Sequence, residues 1–420
     1  MTATPVPGRP PSPLRSSDKA VPPWADGMTT GDFLASAPRL SSLGTPLMVL
    51  DEAALAANTA VFAEWCAARG VELAPHGKTT MSPTLWQRQL DAGATAITVA
   101  NYPQLRVAVA AGVPSVHVAN AIADPAGIAW LGAALDADPG LEVTVWADAV
   151  RTVDLLDAGL TGRGPTVLVE LGGAGGRTGA RDVEAAAAVA RAVAASDRLR
   201  LGGVAGYEGA FAHDDSAESL ARVDGYLHSI VDLHRRLEEL YPPDGRIVVS
   251  AGGSAYFDRV ARVLGAVQDD RTVVVVRSGA YIIHDDGFYG TVTPSGRGAG
   301  PGLRSAMHVW ARVISRPEAG LALLDAGRRD VSFDDGLPTP QAAASDLGAP
   351  RRPLGGIVTA VNDQHAYLAL DPGDPLAVGD VVRLGLSHPC TAIDKWRVIP
   401  VVDDSEQEDP VIVDLLATYF

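Results

Sequence analysis

At 420 residues, 47% hydrophobic and 20% charged, the chain has material for a large domain, a smaller one and a sizeable core. Fifty acidic against 34 basic residues give a net charge of −16, which repels phosphate backbones and disfavours nucleic acid as a partner. Two cysteines, Cys66 and Cys390, exclude a disulfide framework and fit a reducing cytoplasm. No run of about 18 apolar residues offers a membrane span, and MTATPVPGRPPSPLR at the start lacks the apolar core of a secretory signal.

Residues 1–27, rich in Pro, Ser and charge, are expected to form a disordered or loosely draped arm. Residues 28–52 include TPLMVLD (45–51), a strand expected to join a β domain built later in the chain. Over 53–290, short β-branched runs recur, each followed by a stretch of helical period. The runs are VELAPH (71–76), AITVAN (96–101), SVHVAN (115–120), EVTVWAD (142–148), TVLVELG (166–172), RLGGVAGYEG (200–209), RIVVSAGG (246–253) and TVVVVRSGA (272–280). Near-continuous apolar runs alternating with helices predict a parallel sheet buried on both faces. Eight such units match a (β/α)8 TIM barrel; a doubly wound open sheet is the alternative, because periodicity does not see closure. GTVTPSGRGAGPG (290–302) is a turn-rich linker. Beyond it SAMHVWARVIS, LALLDAG, GIVTAV, AYLAL and DVVRLGL alternate without helical period, predicting an antiparallel β domain over 291–420.

In a barrel the active site lies at the C-terminal ends of the strands. Those ends carry His76-Gly77-Lys78, Arg177, Tyr207, Gly252-Gly253-Ser254 and Arg277-Ser278-Gly279. Gly77-Lys78-Thr79 resembles the end of a P-loop, but Glu72 stands where that motif requires a glycine, so this reading fails. Two readings stay open. Either Lys78 caps a strand end without chemistry, or its desolvated amine condenses with a cofactor aldehyde. The second gains from AGGSAYF and RSGAY at the seventh and eighth strand ends, whose bare glycine N–H groups can approach an anion closely. A lysine facing such a phosphate cup suits pyridoxal 5'-phosphate, with Arg277 placed to contact the ring nitrogen. The run Gly172 to Gly179 lacks the acidic companion of a dinucleotide site and reads as a flexible loop carrying Arg177 to the mouth. His388 and Cys390, two apart in an expected strand, would share a face, and imidazole and thiolate are both good zinc ligands. The plainer reading is a core cysteine beside a loop histidine. If a metal is held, Asp394 is expected to orient His388 from behind.

Together, APHGKTTMSPTL, ELGGAGGRTG, GYEG, SAGGSAYFD, RSGAYIIHDD, LLDAGRRDVSFDDGLP and SHPCTAIDKWRVIPVVDD resemble the D-serine dehydratase / D-threonine aldolase family, from about residue 45 to 410. The resemblance implies an alanine-racemase-like pyridoxal phosphate barrel with a β domain. It makes Lys78 the Schiff-base lysine, puts Arg177 on the cofactor's phenolic oxygen and Tyr207 beside the ring. It gathers Gly252, Gly253, Ser254, Gly279, Ala280 and Tyr281 around the phosphate. His388 and Cys390 would bind zinc, or another divalent metal, next to the substrate hydroxyl. The implied activity is a lyase on D-β-hydroxy amino acids: D-serine or D-threonine dehydratase giving a 2-oxo acid and ammonia, with aldol cleavage to glycine and an aldehyde as runner-up. His76 and His213 are candidates for a second acid or base. A racemase or a non-catalytic cofactor carrier fits less well, because neither has a task for the metal. A small-molecule amino acid, neither nucleic acid nor membrane, is the expected partner. A two-fold homodimer is implied, because barrel mouths of this family are closed by the partner's β domain.

Overall fold

The computed structural model describes residues 13–420, which fold around two sheets. After β1 (Leu47–Asp51), strands alternate with helices through β2 (Glu72–Leu73), β3 (Ile97–Val99), β4 (Ser115–Val118), β5 (Glu142–Ala147), β6 (Thr166–Glu170), β7 (Arg200–Ala205), β8 (Ile247–Ala251) and β9 (Thr272–Val276). These eight from β2 onward pair in parallel in the order β2-β9-β8-β7-β6-β5-β4-β3. The two edges meet where His76 bridges Thr98 and the Thr98 N–H donates to the Pro75 carbonyl at 2.8 Å. The sheet therefore closes into a (β/α)8 barrel, and the open-sheet alternative falls.

Alternation within the strands sorts the side chains. Val116, Val118, Val143, Val145, Val167 and Val169 belong to the large core shared with the surrounding helices. Ala119, Trp146, Leu168 and Ala205 form a separate small cluster. Helices begin where a side chain meets an unpaired N–H: Asp51 accepts from Ala54 at 2.7 Å, and Asn101 from Gln104 at 3.0 Å.

The C-terminal quarter of the chain, with β1, forms a ten-stranded sheet built around β10 (Met307–Glu318). β1 is inserted into it, antiparallel to β10 on one side and parallel to Val398–Val402 on the other. No helix among the described residues is long and apolar enough to cross a membrane.

The N-terminal arm departs from expectation. Residues 1–12 lie outside the described residues, but those from Leu14 onward are packed. Leu14, Val21 and Ala25 join Phe33, Trp310 and Val398 in one buried cluster. Lys19 pairs with the buried Asp330 at 2.9 Å and lies 3.9 Å from the centroid of the Trp396 ring. Proline and charge suggested disorder; the apolar residues between them instead find a seam against the β sheet. Lys19→Ala should therefore cost about 1–2 kcal/mol of stability, read as a lower urea midpoint, because Asp330 loses a charged partner. An unchanged midpoint would contradict docking of this segment.

Candidate active site

Beyond β2 the chain makes a single tight turn, Gly77–Thr79. A Cβ at Gly77 would sit 2.7 Å from Trp86 Nε1 and 2.8 Å from Ile97 Cγ2, so glycine alone fits. Trp86 donates from Nε1 to the Gly77 carbonyl at 3.1 Å and locks the turn. Lys78 is thereby placed half-buried at the barrel mouth, in a cavity of about 140 Å³. The same cavity brings together His76, Arg177, Tyr207, Arg277, His388 and Cys390, with Gly252, Gly253, Ser254, Gly279 and Ala280 in its wall. Among the described residues Lys78 has no ion pair.

Arg277 forms the floor. It is 3% exposed, donates to Ser250 Oγ and, at 2.6 Å, to the Gly206 carbonyl. Burial lowers its guanidinium to about 10, which leaves it charged at neutral pH. Arg177, on the loop after β6, places its guanidinium carbon 4.6 Å from the centroid of the Tyr207 ring. That loop, expected to be flexible, is pinned at its base. Leu171 bridges Ala180, and Arg181 donates to the Gly173 and Arg177 carbonyls at 2.7 Å. His76 Nδ1 is buried without a partner in the described residues. Desolvation, then the charges of Lys78 and Arg277, hold this imidazole well below its usual range and keep it neutral.

The glycine cup differs from expectation. The N–H groups of Gly252 and Gly253 donate to the fully buried Glu208 at 2.9 and 2.8 Å. Two donors expected to face a phosphate are thus engaged by a carboxylate of the GYEG motif, to which the sequence assigned no role. Ser254, Gly279 and Ala280 remain in the cavity wall, with the Ala280 N–H donating to Ser254 Oγ at 3.3 Å. Tyr281 does not line the cavity. Its ring stacks on Phe62 with centroids 4.2 Å apart, because this tight turn sends the bulky side chain back into the core.

His388 and Cys390 meet by another geometry than a strand. Cys390 is the second residue of the short helix Pro389–Ile393, and His388 caps it in the left-handed region at φ 49° and ψ 82°. Cys390 Sγ lies 3.4 Å from Thr79 Oγ1, beside Lys78. Burial would raise the thiol, but the hydrogen bonds of His388 and Thr79 and the charge of Lys78 bring it below its usual value. Burial would lower the His388 imidazole, yet Cys390 and Asp334 raise it to about 9. Behind the ring, Nδ1 is 2.7 Å from Asp334 and 3.0 Å from Asp335. Asp394 does not take that place; it pairs with Lys395 at 3.1 Å, because the helical turn separates it from the imidazole.

Other participants had weak or no sequence signal. Asp334 and Asp335 stand in the quoted VSFDDGLP segment, where only spatial folding joins them to His388. Tyr289 lines the cavity from Phe288–Val292, just before a stretch read as linker. Burial, with nearby Cys390 and Tyr207, raises its phenol far above the usual range. His213 is exposed in an outer vestibule of about 640 Å³ and does not reach the cavity that holds Lys78.

The fold is that of the alanine-racemase-like barrel proteins. The chain superposes on a D-threonine aldolase from Filomicrobium marinum with TM-score 0.74 and 24% identity, covering 90% of this chain and 96% of that one. An alanine-racemase-like protein from Idiomarina loihiensis gives 0.69 and 18%, covering 89% and 96%. A cysteine-to-alanine mutant of D-threo-3-hydroxyaspartate dehydratase, solved in the metal-free form, gives 0.71 and 23%, covering 91% and 99%. Residues 306–402 match the family described as "Putative serine dehydratase domain". A D-threonine aldolase of Arthrobacter sp. is 28% identical over 374 residues, 88% of this chain and 92% of its own. A D-threo-3-hydroxyaspartate dehydratase of Delftia sp. (strain HT23) is 27% identical over 370 residues, covering 84% and 92%. Over most of its length the chain is thus similar to a D-threonine aldolase and a D-threo-3-hydroxyaspartate dehydratase, and its C-terminal part to the serine dehydratase domain.

Glu208→Gln supplies an acceptor for only one of the two glycine N–H groups. It should lower stability by about 1–3 kcal/mol, measured by unfolding of the cofactor-free protein. Equal stability would mean that the carboxylate does not hold this loop.

Proposed function

We propose that the protein is a pyridoxal 5'-phosphate-dependent lyase of D-β-hydroxy amino acids, forming a 2-oxo acid and ammonia from D-serine or D-threonine. One juxtaposition carries the proposal: Lys78 and the His388–Cys390 pair open onto a single cavity. A racemase or a cofactor carrier needs the lysine but not the thiol and imidazole.

The residues fit an anionic cofactor. Lys78, Arg177 and Arg277 converge on the cavity, and the buried His76 Nδ1 awaits a partner. Lys78 would hold the aldehyde carbon, Arg177 the phenolic oxygen and Arg277 the ring nitrogen. Ser254, Gly279 and Ala280 would meet the phosphate, since Glu208 holds the other two glycines. When bound, the cofactor supplies an electron sink for charge developing at the substrate α-carbon. Lys78 would take the α-proton in the elimination, and the neutral His76 would accept the β-hydroxyl proton where the aldol bond is the one cleaved.

The donor set at the lip fits a divalent ion with affinity for sulfur and nitrogen, and zinc suits it best. His388 and Cys390 would hold it, with Asp334 and Asp335 orienting the imidazole from behind. Such an ion polarises a substrate hydroxyl as a Lewis acid. The related dehydratase whose cysteine mutant is metal-free supports this assignment. Cleavage to glycine and an aldehyde is the second reading, favoured by the 28% identity to a D-threonine aldolase. Cytoplasmic location and a two-fold homodimer complete the proposal.

Pyruvate, 2-oxobutyrate, ammonia and glycine released from D-serine and D-threonine, with and without chelator, distinguish the two reactions. The purified protein should absorb at about 420 nm, and Lys78→Ala should lose both that band and turnover. Turnover by Lys78→Ala without added amine would refute the lysine's role. Chelation and Cys390→Ala should both abolish lyase activity while α-proton exchange in deuterated water survives. Full activity and undiminished metal in Cys390→Ala would leave the cysteine merely structural. The native protein should sediment as a dimer at micromolar concentration; a fully active monomer would contradict a mouth closed by its partner.

A further inference from the structure

From the wall of the cavity that holds Lys78, where Trp146 stands beside Arg277, a short column of buried polar side chains runs down the barrel. The Arg277 guanidinium carbon lies 4.7 Å from the centroid of the Trp146 ring. Trp146 donates from Nε1 to His117 Nε2 at 2.6 Å, with the two rings at 72°. His117 and Trp146 come from the neighbouring strands β4 and β5 and are only 4% and 1% exposed. A second cavity, of about 490 Å³, reaches His117 between Ser115, Thr144 and Thr166. The imidazole therefore borders open space on that side, and the indole is its polar anchor on the other.

An indole N–H only donates, so His117 Nε2 must keep a lone pair. A neutral ring with its proton on Nδ1 is the one form that preserves the bond. Desolvation, followed by the charge of Arg277, holds His117 well below the usual imidazole range and so maintains that form. On Arg277 itself, Ser250 and the Gly206 carbonyl engage the edge of the guanidinium. Edge contacts fix where the group sits but leave its plane free to tilt; the indole face beneath it restrains the tilt.

We propose, on the cofactor reading given above, that His117 and Trp146 are positioning residues for Arg277. The imidazole fixes the indole, and the indole fixes the guanidinium where a cofactor ring nitrogen would meet it.

Variants of the full chain test this. His117→Gln offers the indole a carbonyl oxygen, His117→Leu offers nothing, and Trp146→Phe keeps an aromatic face but loses the N–H. Each is titrated with pyridoxal 5'-phosphate by absorbance, and the pH midpoint of the bound cofactor's visible band is recorded beside that of Arg277→Lys. His117→Leu and Trp146→Phe should weaken cofactor binding about 5- to 10-fold and move the midpoint in the same direction as Arg277→Lys. His117→Gln should stay within about twofold of the unmutated protein. His117→Leu combined with Arg277→Lys should be no weaker than the weaker single variant. Binding and titration of His117→Leu like the unmutated protein, or losses that multiply in the double variant, would overturn the inference. Should His117→Leu not fold, nitrogen NMR of the cofactor-free unmutated protein decides: Nε2 of His117 must be unprotonated, and a proton there overturns the inference. Failure of the unmutated protein to take up cofactor would instead overturn the cofactor reading.

Discussion

The 3.4 Å contact between Cys390 Sγ and Thr79 Oγ1 joins residues 311 positions apart in the chain. On one side stands the turn after β2, where Trp86 clamps the Gly77 carbonyl and leaves room for no larger residue. On the other stands a short helix whose N-cap, His388, adopts a left-handed backbone held by Asp285, which accepts the His388 N–H at 2.9 Å. Neither side alone makes a reactive centre. The lysine is an amine at the mouth of a barrel, and the thiol–imidazole pair sits on a short helix of the β domain. Closing one over the other creates a cavity in which an amine faces a thiol and an imidazole.

Electrostatics then divides the work within that cavity. Lys78, Arg177 and Arg277 surround it with positive charge, with Glu208 buried behind the glycine wall. His76, buried among these cations, stays neutral because desolvation and its neighbours oppose another charge. At the lip the balance reverses. Asp334 and Asp335 face His388 from behind, while His388 and Lys78 favour the thiolate form of Cys390. One wall suits an anionic cofactor and the other a cation.

The barrel was legible because its signal is local: eight apolar runs, each with a helix, become eight parallel strands with few shifts in position. Lys78, Arg177, Arg277 and the glycines stood at strand ends, and the structure gathers them in one cavity. What stayed hidden depends on contacts between distant segments. Nothing near Asp334 or Asp335 shows that His388 folds against them, and proximity in sequence favoured Asp394 instead. Glu208 was invisible as a loop anchor because its partners, Gly252 and Gly253, lie more than forty residues away. Tyr281 follows two cavity-wall residues yet turns into the core, a choice made by Phe62 on another helix. The packed residues from Leu14 onward show a further limit: a proline-rich composition describes the chain's own preferences, not the seam awaiting it.

On the proposed function, the amine and the metal donors share one reaction chamber. Diffraction across the zinc absorption edge, from crystals grown with zinc and pyridoxal 5'-phosphate, tests it directly. An anomalous peak bonded to both His388 and Cys390, facing cofactor density continuous with Lys78, is the predicted result. Cofactor attached to another lysine, or a metal bound away from this pair, would contradict it.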